Sequence, residues 1–272
     1  MVQNQETLEK SNNVKSILKA YLIMEELDIA GELSLGDLSK RLSMDKATVH
    51  RIINTIKDAG YINQNIDNKK YYNSLKLLAM GNRAMEKTGV KHIARPYIEE
   101  LAEKTGETIN LGVIVDSNVI YIDKIESNST IKVGLGIGTT VPSYCSGLGK
   151  VMLAFMPEPE LEVILKNITY EKFTENTINN EENFLKALSI VKDKGFSFDD
   201  EEYVIGLICF GAPIFDYHGS PIAAISVSCP KYRYEESKHF EMYSTLAIDS
   251  AKKISRQLGY QVKLSSDKEK ID

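Results

Sequence analysis

The residues best suited to chemistry lie on one face of a predicted helix that begins near residue 46. Val49, Ile52, Ile53 and Ile56 recur at helical spacing and form the stripe that faces a core. The positions that point away from this stripe are donors or small side chains, namely Lys46, Ala47, Thr48, His50, Arg51 and Asn54. Arginine forms bidentate hydrogen bonds with guanine, asparagine forms them with adenine, and the N-terminus of a helix favours a phosphate. This face predicts contact with the major groove of DNA.

Two shorter elements precede this helix and position it. Ser34 and Asp37 have the spacing of a capping box and begin a short helix, and Asp45 begins the next one, which Gly60 ends. Upstream, a loop is expected at 28–32. Before that loop, apolar residues at helical spacing predict an amphipathic helix through Val14, Ile17, Leu18, Tyr21 and Leu22. Two short helices joined by a tight turn predict a helix-turn-helix.

A basic hairpin is predicted directly after the helix-turn-helix. Residues 61–66 and 69–72 have strand character and flank a polar turn, and the tip carries Lys69 and Lys70. A helix-turn-helix followed by such a hairpin is a winged helix, whose lysines would add nonspecific affinity for the DNA backbone. Winged helices also serve as protein–protein modules, so the fold leaves that alternative open.

The distribution of charge favours DNA over the net charge of −5. Residues 1–75 carry ten basic and ten acidic groups, so the whole net charge lies in the rest of the chain. The window 40–70 carries seven basic and three acidic residues, a local excess of +4. A local basic surface matters more for phosphate contact than the total charge. Charge alone is also compatible with a merely solvated surface.

The remainder of the chain predicts an α+β domain with an antiparallel sheet. A helix that Ser74 begins would lead into it, and Pro96 is expected in the first turn of the following helix. Hairpin signals join strands 109–115 to 119–125 and 208–215 to 222–228, and a strand is possible at 131–133. Helices are expected after Ser146 and over 181–194 and 235–258. Strand pairs with helices before, between and after them predict this fold class.

Composition and spacing argue against other classes of protein. Three widely spaced cysteines exclude a disulfide scaffold and favour a cytoplasmic location. No apolar run is long enough to span a membrane, and the polar N-terminus does not resemble a secretory signal. A cysteine nucleophile, Cys145 or Cys209, with His92 or His218 as base has no supporting spacing, and a metal site with His218 matches no zinc pattern. The glycines at 134–138 lack the context of a phosphate loop. We predict no enzyme, metal or cofactor.

Three stretches resemble the IclR family of transcriptional regulators. The first is 45–53 with 59–62, the second is 141–150, and the third comprises 199–202, 206–209, 212–214 and 223–228. They match in order and spacing over residues 13–258. The resemblance implies a winged helix, a linker helix and an effector-binding domain related to GAF and PAS folds. It also implies homodimers, or homotetramers formed as dimers of dimers, that bind small organic acids or aromatic compounds.

The same resemblance implies an effector site. Gly147 and Leu148 would present backbone N–H groups to a carboxylate at a helix N-terminus. The other pocket residues would be Asp199, Leu207, Cys209, Ser226 and Ser228. Alternatives stay open, since the serines can bond neighbouring backbone, the cysteine can be a small buried hydrophobe, and 199–202 can be a solvated turn. Tyr144 and Cys145 depart from the family pattern and would alter the pocket mouth.

We therefore predict a bacterial-type transcriptional repressor that binds double-stranded operator DNA. Its affinity for DNA would be set by a small carboxylic, keto or hydroxy acid bound in the C-terminal domain. The predicted parts are a flexible N-terminus at 1–12, a winged helix-turn-helix at 13–73, a linker helix at 74–90, an effector-binding domain at 91–260 and a charged tail at 261–272. The alternative is a DNA-binding regulator that needs no ligand or responds to thiol oxidation.

Overall fold

The computed structural model describes residues 14–127 and 135–261, and the chain divides into two compact units between Lys87 and Thr88. The predicted segment 1–12, the strand at 131–133 and all but the first residue of the tail at 261–272 lie outside the described residues. No helix in the described part of the chain is long and apolar enough to cross a membrane. The five predicted domain ranges remain predictions.

The N-terminal unit has the predicted helix-turn-helix and an antiparallel hairpin. Its elements are α1 (Lys15–Ala30), α2 (Leu35–Arg41), α3 (Lys46–Asp58), β1 (Ile62–Gln64), β2 (Tyr71–Asn73) and α4 (Lys76–Thr88). The predicted apolar stripe of α3 is buried, and it packs with Ile23, Leu27, Leu38 and Ile62 in one core. Leu33 adds a single bridge to Tyr71, which ties the hairpin to the segment between the first two helices.

Side-chain caps fix where the two helices of the motif begin. The Ser34 hydroxyl accepts a hydrogen bond from the Asp37 amide at 3.2 Å, and the Asp45 carboxylate accepts one from the Thr48 amide at 2.8 Å. Each cap satisfies an amide of the first turn that has no partner within its helix. Gly60 follows α3 with a φ of 82°, as predicted. These local signals set the turn between α2 and α3.

The first helix differs from the prediction in its length and in its buried face. It continues to Ala30, so the loop predicted at 28–32 is wrong for its first three residues, and Gly31 ends the helix with a φ of 74°. Three members of the predicted stripe are exposed, with Val14 at 60%, Ile17 at 52% and Tyr21 at 56%. The core is instead contacted by residues on the following turns, such as Ile23 and Leu27. The helix therefore has an apolar face that the described residues of this unit do not cover.

The C-terminal unit is built on an antiparallel sheet. The elements in chain order are α5 (Val90–Thr105), β3 (Thr108–Val115), β4 (Asn118–Ile125), β5 (Thr140–Pro142), α6 (Gly147–Ala154), α7 (Glu158–Leu165), α8 (Glu181–Lys194), β6 (Ser197–Asp200), β7 (Leu207–Phe215), β8 (Pro221–Pro230) and α9 (Glu236–Gln257). Within the described residues the strands lie in the order β5–β4–β3–β8–β7–β6, with 3₁₀ turns at Ser143–Cys145 and Lys231–Arg233.

Most predicted elements of this unit are present, and the α+β class is confirmed. Both hairpins form, and the helix predicted over 181–194 has those bounds. The prediction that Pro96 lies in the first turn of its helix was wrong. Helix α5 begins six residues before this proline and holds it in its interior. Strand β6 was not predicted, and it places the acidic run that begins at Asp199 at the edge of the sheet. That edge position matters for the site.

All eight residues of helix α6 are buried. It lies so close to the sheet and the preceding turn that glycine is required at the contacts. A Cβ on Gly149 would lie 2.2 Å from the Ser143 carbonyl oxygen, and a Cβ on Gly211 of β7 would lie 2.6 Å from the Gly147 carbonyl oxygen. The Ser197 hydroxyl donates to that same Gly147 oxygen at 2.6 Å. Helix α9 covers the opposite face, where its aromatic residues meet Phe210.

We expect Gly149→Ala to destabilise the C-terminal unit severely, by about 3 kcal/mol or more, because the added methyl group meets rigid backbone. Urea unfolding followed by circular dichroism measures the effect. Gly136→Ala is the matched control, since a Cβ there meets no atom within 4 Å. Equal unfolding midpoints for the two variants would show that α6 does not need this close approach.

Candidate functional site

The outer face of α3 is accessible, as predicted from its spacing. Lys46, Ala47, His50 and Arg51 are exposed, and Thr48 and Asn54 are half-buried. Since Val49 and Ile52 on the other side are buried in the core, the helix has one fixed side and one free side. The structure thus brings the six predicted α3 residues to a single surface.

Arg51 is exposed on this surface and available as a donor. Its guanidinium makes no ion pair or hydrogen bond with any residue in the described ranges. Asn54 Nδ2 lies 3.4 Å from His50 Nε2, so these two side chains, one turn apart, are held side by side. An unpaired arginine next to a paired amide and imidazole presents three different donor groups in a row along the helix.

The two lysines of the hairpin are not equivalent. Lys69 is exposed and has a φ of 59°, so it lies at the tip of the turn. Lys70 is half-buried and forms an ion pair with Glu32 at 3.2 Å. The Glu32 carboxylate also accepts a hydrogen bond from Asn68 at 3.0 Å, and these contacts lower its pKa. Lys69 is therefore free for a phosphate, while Lys70 is engaged in holding the hairpin.

A cavity in the C-terminal unit contains six of the seven predicted effector residues. Gly147, Leu148, Asp199, Leu207, Cys209 and Ser226 line it, together with Tyr121, Cys145 and Tyr203. Ser228 is not among the lining residues, but its hydroxyl lies 3.2 Å from the thiol of Cys209, which is. The cavity measures about 20 Å³, room for one water molecule. Ligand pockets for drug-sized molecules are more than ten times larger, so this site is nearly closed in the described conformation.

The two serines are tied to a buried asparagine that the sequence did not indicate. Asn110 Nδ2 donates to the Ser226 hydroxyl at 3.3 Å and to the Ser228 hydroxyl at 2.9 Å. The Ser228 hydroxyl also lies 3.2 Å from the Cys209 thiol. Since both hydroxyl oxygens accept from Asn110, their protons are left to donate elsewhere. The Ser226 proton is the one that can be donated into the cavity.

Asp199 is buried, with only 5% of its surface exposed, so it does not lie on a solvated turn. Burial raises the pKa of its carboxyl, while nearby Lys150 and hydrogen bonds from the Glu202 and Gly147 amides act in the opposite direction. The Glu202 amide donates to it at 3.0 Å. The acidic side chain thus lies beside the N-terminus of α6, where a ligand carboxylate was predicted to bind.

A buried ion pair supports this wall of the cavity. Lys150 of α6 is 2% exposed, donates to the Phe198 carbonyl at 2.9 Å, and forms a short hydrogen bond with Glu202. Burial raises the pKa of Glu202 to about 7, because desolvation outweighs the attraction of Lys150, and Asp199 adds to the rise. The other oxygen of Glu202, Oε2, is buried without a hydrogen-bond partner. Sequence reasoning missed this pair, since nothing in the spacing of residues 150 and 202 links them.

Cys145 and Tyr144 were both predicted at the mouth of the pocket, and only the first of them lies there. Cys145 lines the cavity, as expected. Tyr144 does not, because its hydroxyl donates to the Glu171 carbonyl at 2.8 Å and its ring packs against Tyr170 and Phe184. Tyr144 is therefore a core residue, and its difference from the family pattern does not shape the cavity.

The alternative chemistries find no support in the described residues. Burial raises the pKa of the Cys145 and Cys209 thiols well above the usual range, and that of Cys229 to about 12. Thiols that stay protonated are poor nucleophiles and poor redox sensors. Within the described ranges no group of three or more histidine, cysteine or acidic residues is placed to hold a metal ion.

Comparison with known proteins matches both units. Residues 82–256 match the family model described as bacterial transcriptional regulator IclR C-terminal, and residues 16–67 match that of the MarR family. The regulator KdgR of Escherichia coli K12 is 36% identical over 249 residues, which is 92% of this chain and 94% of KdgR. The transcriptional repressor IclR of the same organism is 27% identical and covers 93% of each chain.

A solved structure shares the fold. An IclR homologue of Microbacterium hydrocarbonoxydans, crystallised with 4-hydroxybenzoate, aligns with a TM-score of 0.76 over 89% of this chain and 98% of its own. Its sequence is 17% identical, so the likeness concerns the fold alone.

The raised pKa of Glu202 predicts that the C-terminal unit loses stability as the pH rises. The native state keeps a proton on Glu202 up to about pH 7, whereas the unfolded chain releases it near the ordinary pKa of 4.5. This contribution is therefore complete below pH 4.5 and is lost as the pH rises to 7. Between about pH 5 and 7, Glu202→Gln should reduce the pH dependence of the unfolding free energy by about 1 kcal/mol per pH unit.

Urea titrations at several pH values measure this slope. Glu201→Gln is the neighbouring control, because contact with Lys231 lowers the pKa of Glu201, so that it does not titrate in this window. Identical slopes for Glu202→Gln and the wild type would contradict the assignment.

Proposed function

The chain belongs to the IclR family of bacterial transcriptional regulators, and we propose that it is a cytoplasmic repressor that releases its operator when a small organic acid binds the C-terminal unit. The family and its relatives are transcriptional regulators rather than enzymes. The observation that carries the proposal is the exposed face of α3, on which Arg51 has no partner among the described residues while the opposite face is fixed in a core.

In this proposal α3 enters the major groove. Arg51 forks onto a guanine and Asn54 pairs with an adenine, so these two side chains read sequence. Lys46 and the amides of the first turn meet a phosphate at the helix N-terminus. Lys69 contacts the backbone from the hairpin and adds affinity without specificity. Lys70 contributes less to DNA contact than predicted, because Glu32 already neutralises it.

The apolar face of α1 supports a homodimer. Val14, Ile17 and Tyr21 lie one turn apart and are more than half exposed. Apolar surface of this kind marks protein interfaces, and a two-fold dimer would present two copies of α3 to a pseudo-palindromic operator. Further association into a tetramer of paired dimers is part of the same proposal.

The effector is proposed to be a small carboxylic, keto or hydroxy acid. The Gly147 amide already donates to Asp199, so the remaining first-turn amides of α6, with Leu148 the next in line, would meet the anion. The Ser226 proton suits a carbonyl or hydroxyl oxygen. The Microbacterium homologue holds an aromatic acid, which supports an acid as the class of ligand.

Regulation follows from the size of the cavity. At about 20 Å³ it does not admit an organic acid, so the ligand must bind a conformation in which the walls have moved apart. A ligand that binds one conformation better than another shifts the equilibrium between them by that difference in affinity. If DNA favours the closed form, linkage requires that the ligand weaken operator binding and that the operator weaken ligand binding. Thiol oxidation is the weaker alternative, since all three thiols are buried with raised pKa values.

Fluorescence anisotropy on DNA upstream of the protein's own gene tests the proposal as a whole. We expect salt-sensitive binding that one member of a panel of keto, hydroxy and aromatic acids weakens. Absence of specific binding at low salt would contradict the regulator, and specific binding insensitive to every acid but abolished by a thiol oxidant would favour the redox alternative.

Arg51→Ala should relax sequence specificity and cost about 1–3 kcal/mol of operator affinity, while Lys69→Ala should weaken all sequences alike and reduce the salt slope by about one. Anisotropy titrations on operator variants between about 50 and 200 mM salt separate the two effects. Lys70→Ala is the matched comparison and should change the salt slope less than Lys69→Ala. An equal loss across operator variants for Arg51→Ala would contradict its base-reading role.

Ser226→Ala combined with Ser228→Ala should abolish the response to the acid and leave DNA binding without ligand intact. The double substitution removes the hydroxyl proton directed at the cavity, and it does not touch the N-terminal unit. Isothermal titration of the acid and anisotropy of the operator measure the two properties separately. A normal ligand response in the double variant would show that the effector binds elsewhere.

A further inference from the structure

A second and larger cavity lies in the C-terminal unit, away from the proposed effector site. It measures about 270 Å³ and lies among the end of α8, the last turns of α9 and the end of β7. The two cavities have no lining residue in common within 14–127 and 135–261. The second cavity is more than ten times larger than the effector cavity, which is enough for a small organic ligand without enlargement.

The walls of this cavity are apolar and partly aromatic. Phe155, Phe215 and Tyr260 form a row of rings, with centroids 5.4 Å apart for the first pair and 5.0 Å apart for the second. Ala212 and Ala251 are buried at its floor. Rings in edge-to-face and tilted contact form a firm apolar surface, which suits an aromatic or branched ligand body.

The polar side chains that line it are mostly cationic. Lys194, Lys252 and Arg256 surround the cavity, are exposed, and have no ion-pair partner among the described residues. Among the residues that the structure describes, no acidic side chain lines the cavity. Lys252 and Arg256 lie four residues apart on α9 and so project from the same face. Lys253, next to them on the helix but outside the lining, is instead paired with Glu100 at 3.1 Å.

The hydroxyl of Ser255 does not compete for a ligand. It accepts a hydrogen bond from the Phe215 amide at 2.9 Å and donates to the Ala251 carbonyl at 2.7 Å. Polar recognition therefore falls to the three cations and the Tyr260 hydroxyl. A cation in the last turn of a helix interacts favourably with the helix dipole. The helix dipole therefore explains why Lys194 and Arg256 each lie at the end of a helix. It does not explain why three cations from two helices surround one apolar cavity.

We propose that this cavity is a second ligand site, which binds an amphipathic organic anion made of one carboxylate or sulfonate on an aromatic or branched apolar body. The body would pack on the aromatic row, and the Arg256 guanidinium would grip the acid group in bidentate fashion with Lys252 beside it. The proposal does not depend on the effector site, because the two cavities are lined by different residues.

The test uses the full chain and the fluorescent anion 8-anilinonaphthalene-1-sulfonate, whose emission rises in an apolar site. We expect one molecule of this dye per chain. Lys252→Gln combined with Arg256→Gln should weaken its binding about tenfold or more by removing the charge-assisted contacts. Lys253→Gln is the matched control and should change the affinity by less than about twofold, as expected for an exposed charge. The neutral dye N-phenyl-1-naphthylamine should bind the wild type and the double variant equally.

Several results would overturn the proposal. Equal dye affinity in the wild type and in the Lys252→Gln, Arg256→Gln protein would show that the cations do not bind the dye. A loss of affinity in Lys253→Gln equal to that in the double variant would show that only the general positive charge of the helix matters. Loss of the dye in the Ser226→Ala, Ser228→Ala protein would place it in the effector cavity. A dye site that appears only after deletion of residues 262–272 would assign the cavity to the chain's own C-terminal segment.

Discussion

The close approach of α6 to the sheet is the constraint on which the C-terminal unit depends. Backbone meets backbone at Gly147 and Gly211, and the Ser143 carbonyl leaves no room for a side chain at Gly149. This contact holds the amides at the helix N-terminus over the strands that carry Cys209 and Ser226. It also explains why the effector cavity is so small, since the space that a ligand would fill is bounded by elements that already touch.

Charge is handled differently in the two units. On α3 a basic side chain is left exposed and unpaired, where solvation keeps it charged at little cost. At the effector cavity Lys150 is buried and hydrogen-bonded to Glu202. Desolvation raises the pKa of that carboxyl to about 7, so the pair is fully ionised only above that pH. Such a pair is weak support for stability but costly to break from one side. The wall it supports is therefore held electrostatically as well as by packing, and any movement that admits a ligand has to keep the two groups together.

Local signals made most of the N-terminal unit predictable. The caps at Ser34 and Asp45 and the buried stripe of α3 depend on residues three or four positions apart, which a sequence displays directly. The face of α1 was not predictable in the same way, because an apolar stripe does not reveal whether the core or a partner covers it. In the C-terminal unit the family resemblance located six cavity residues. Lys150 with Glu202 and Asn110 with the two serines escaped notice, because sheet register and helix packing join residues far apart in the sequence.

The central strand pair of the sheet has a consequence for how the protein is made. Strand β3 pairs with β8, so that Thr108 meets Ser228. A ribosome adds residues at a rate that separates these two strands by on the order of ten seconds. During that interval the edge of β3 that β8 will occupy has no partner strand, while every element of the N-terminal unit has already been synthesised. An unpaired strand edge is open to pairing with the wrong chain, so this topology leaves the growing chain with such an edge until β8, the last strand of the sheet, is made.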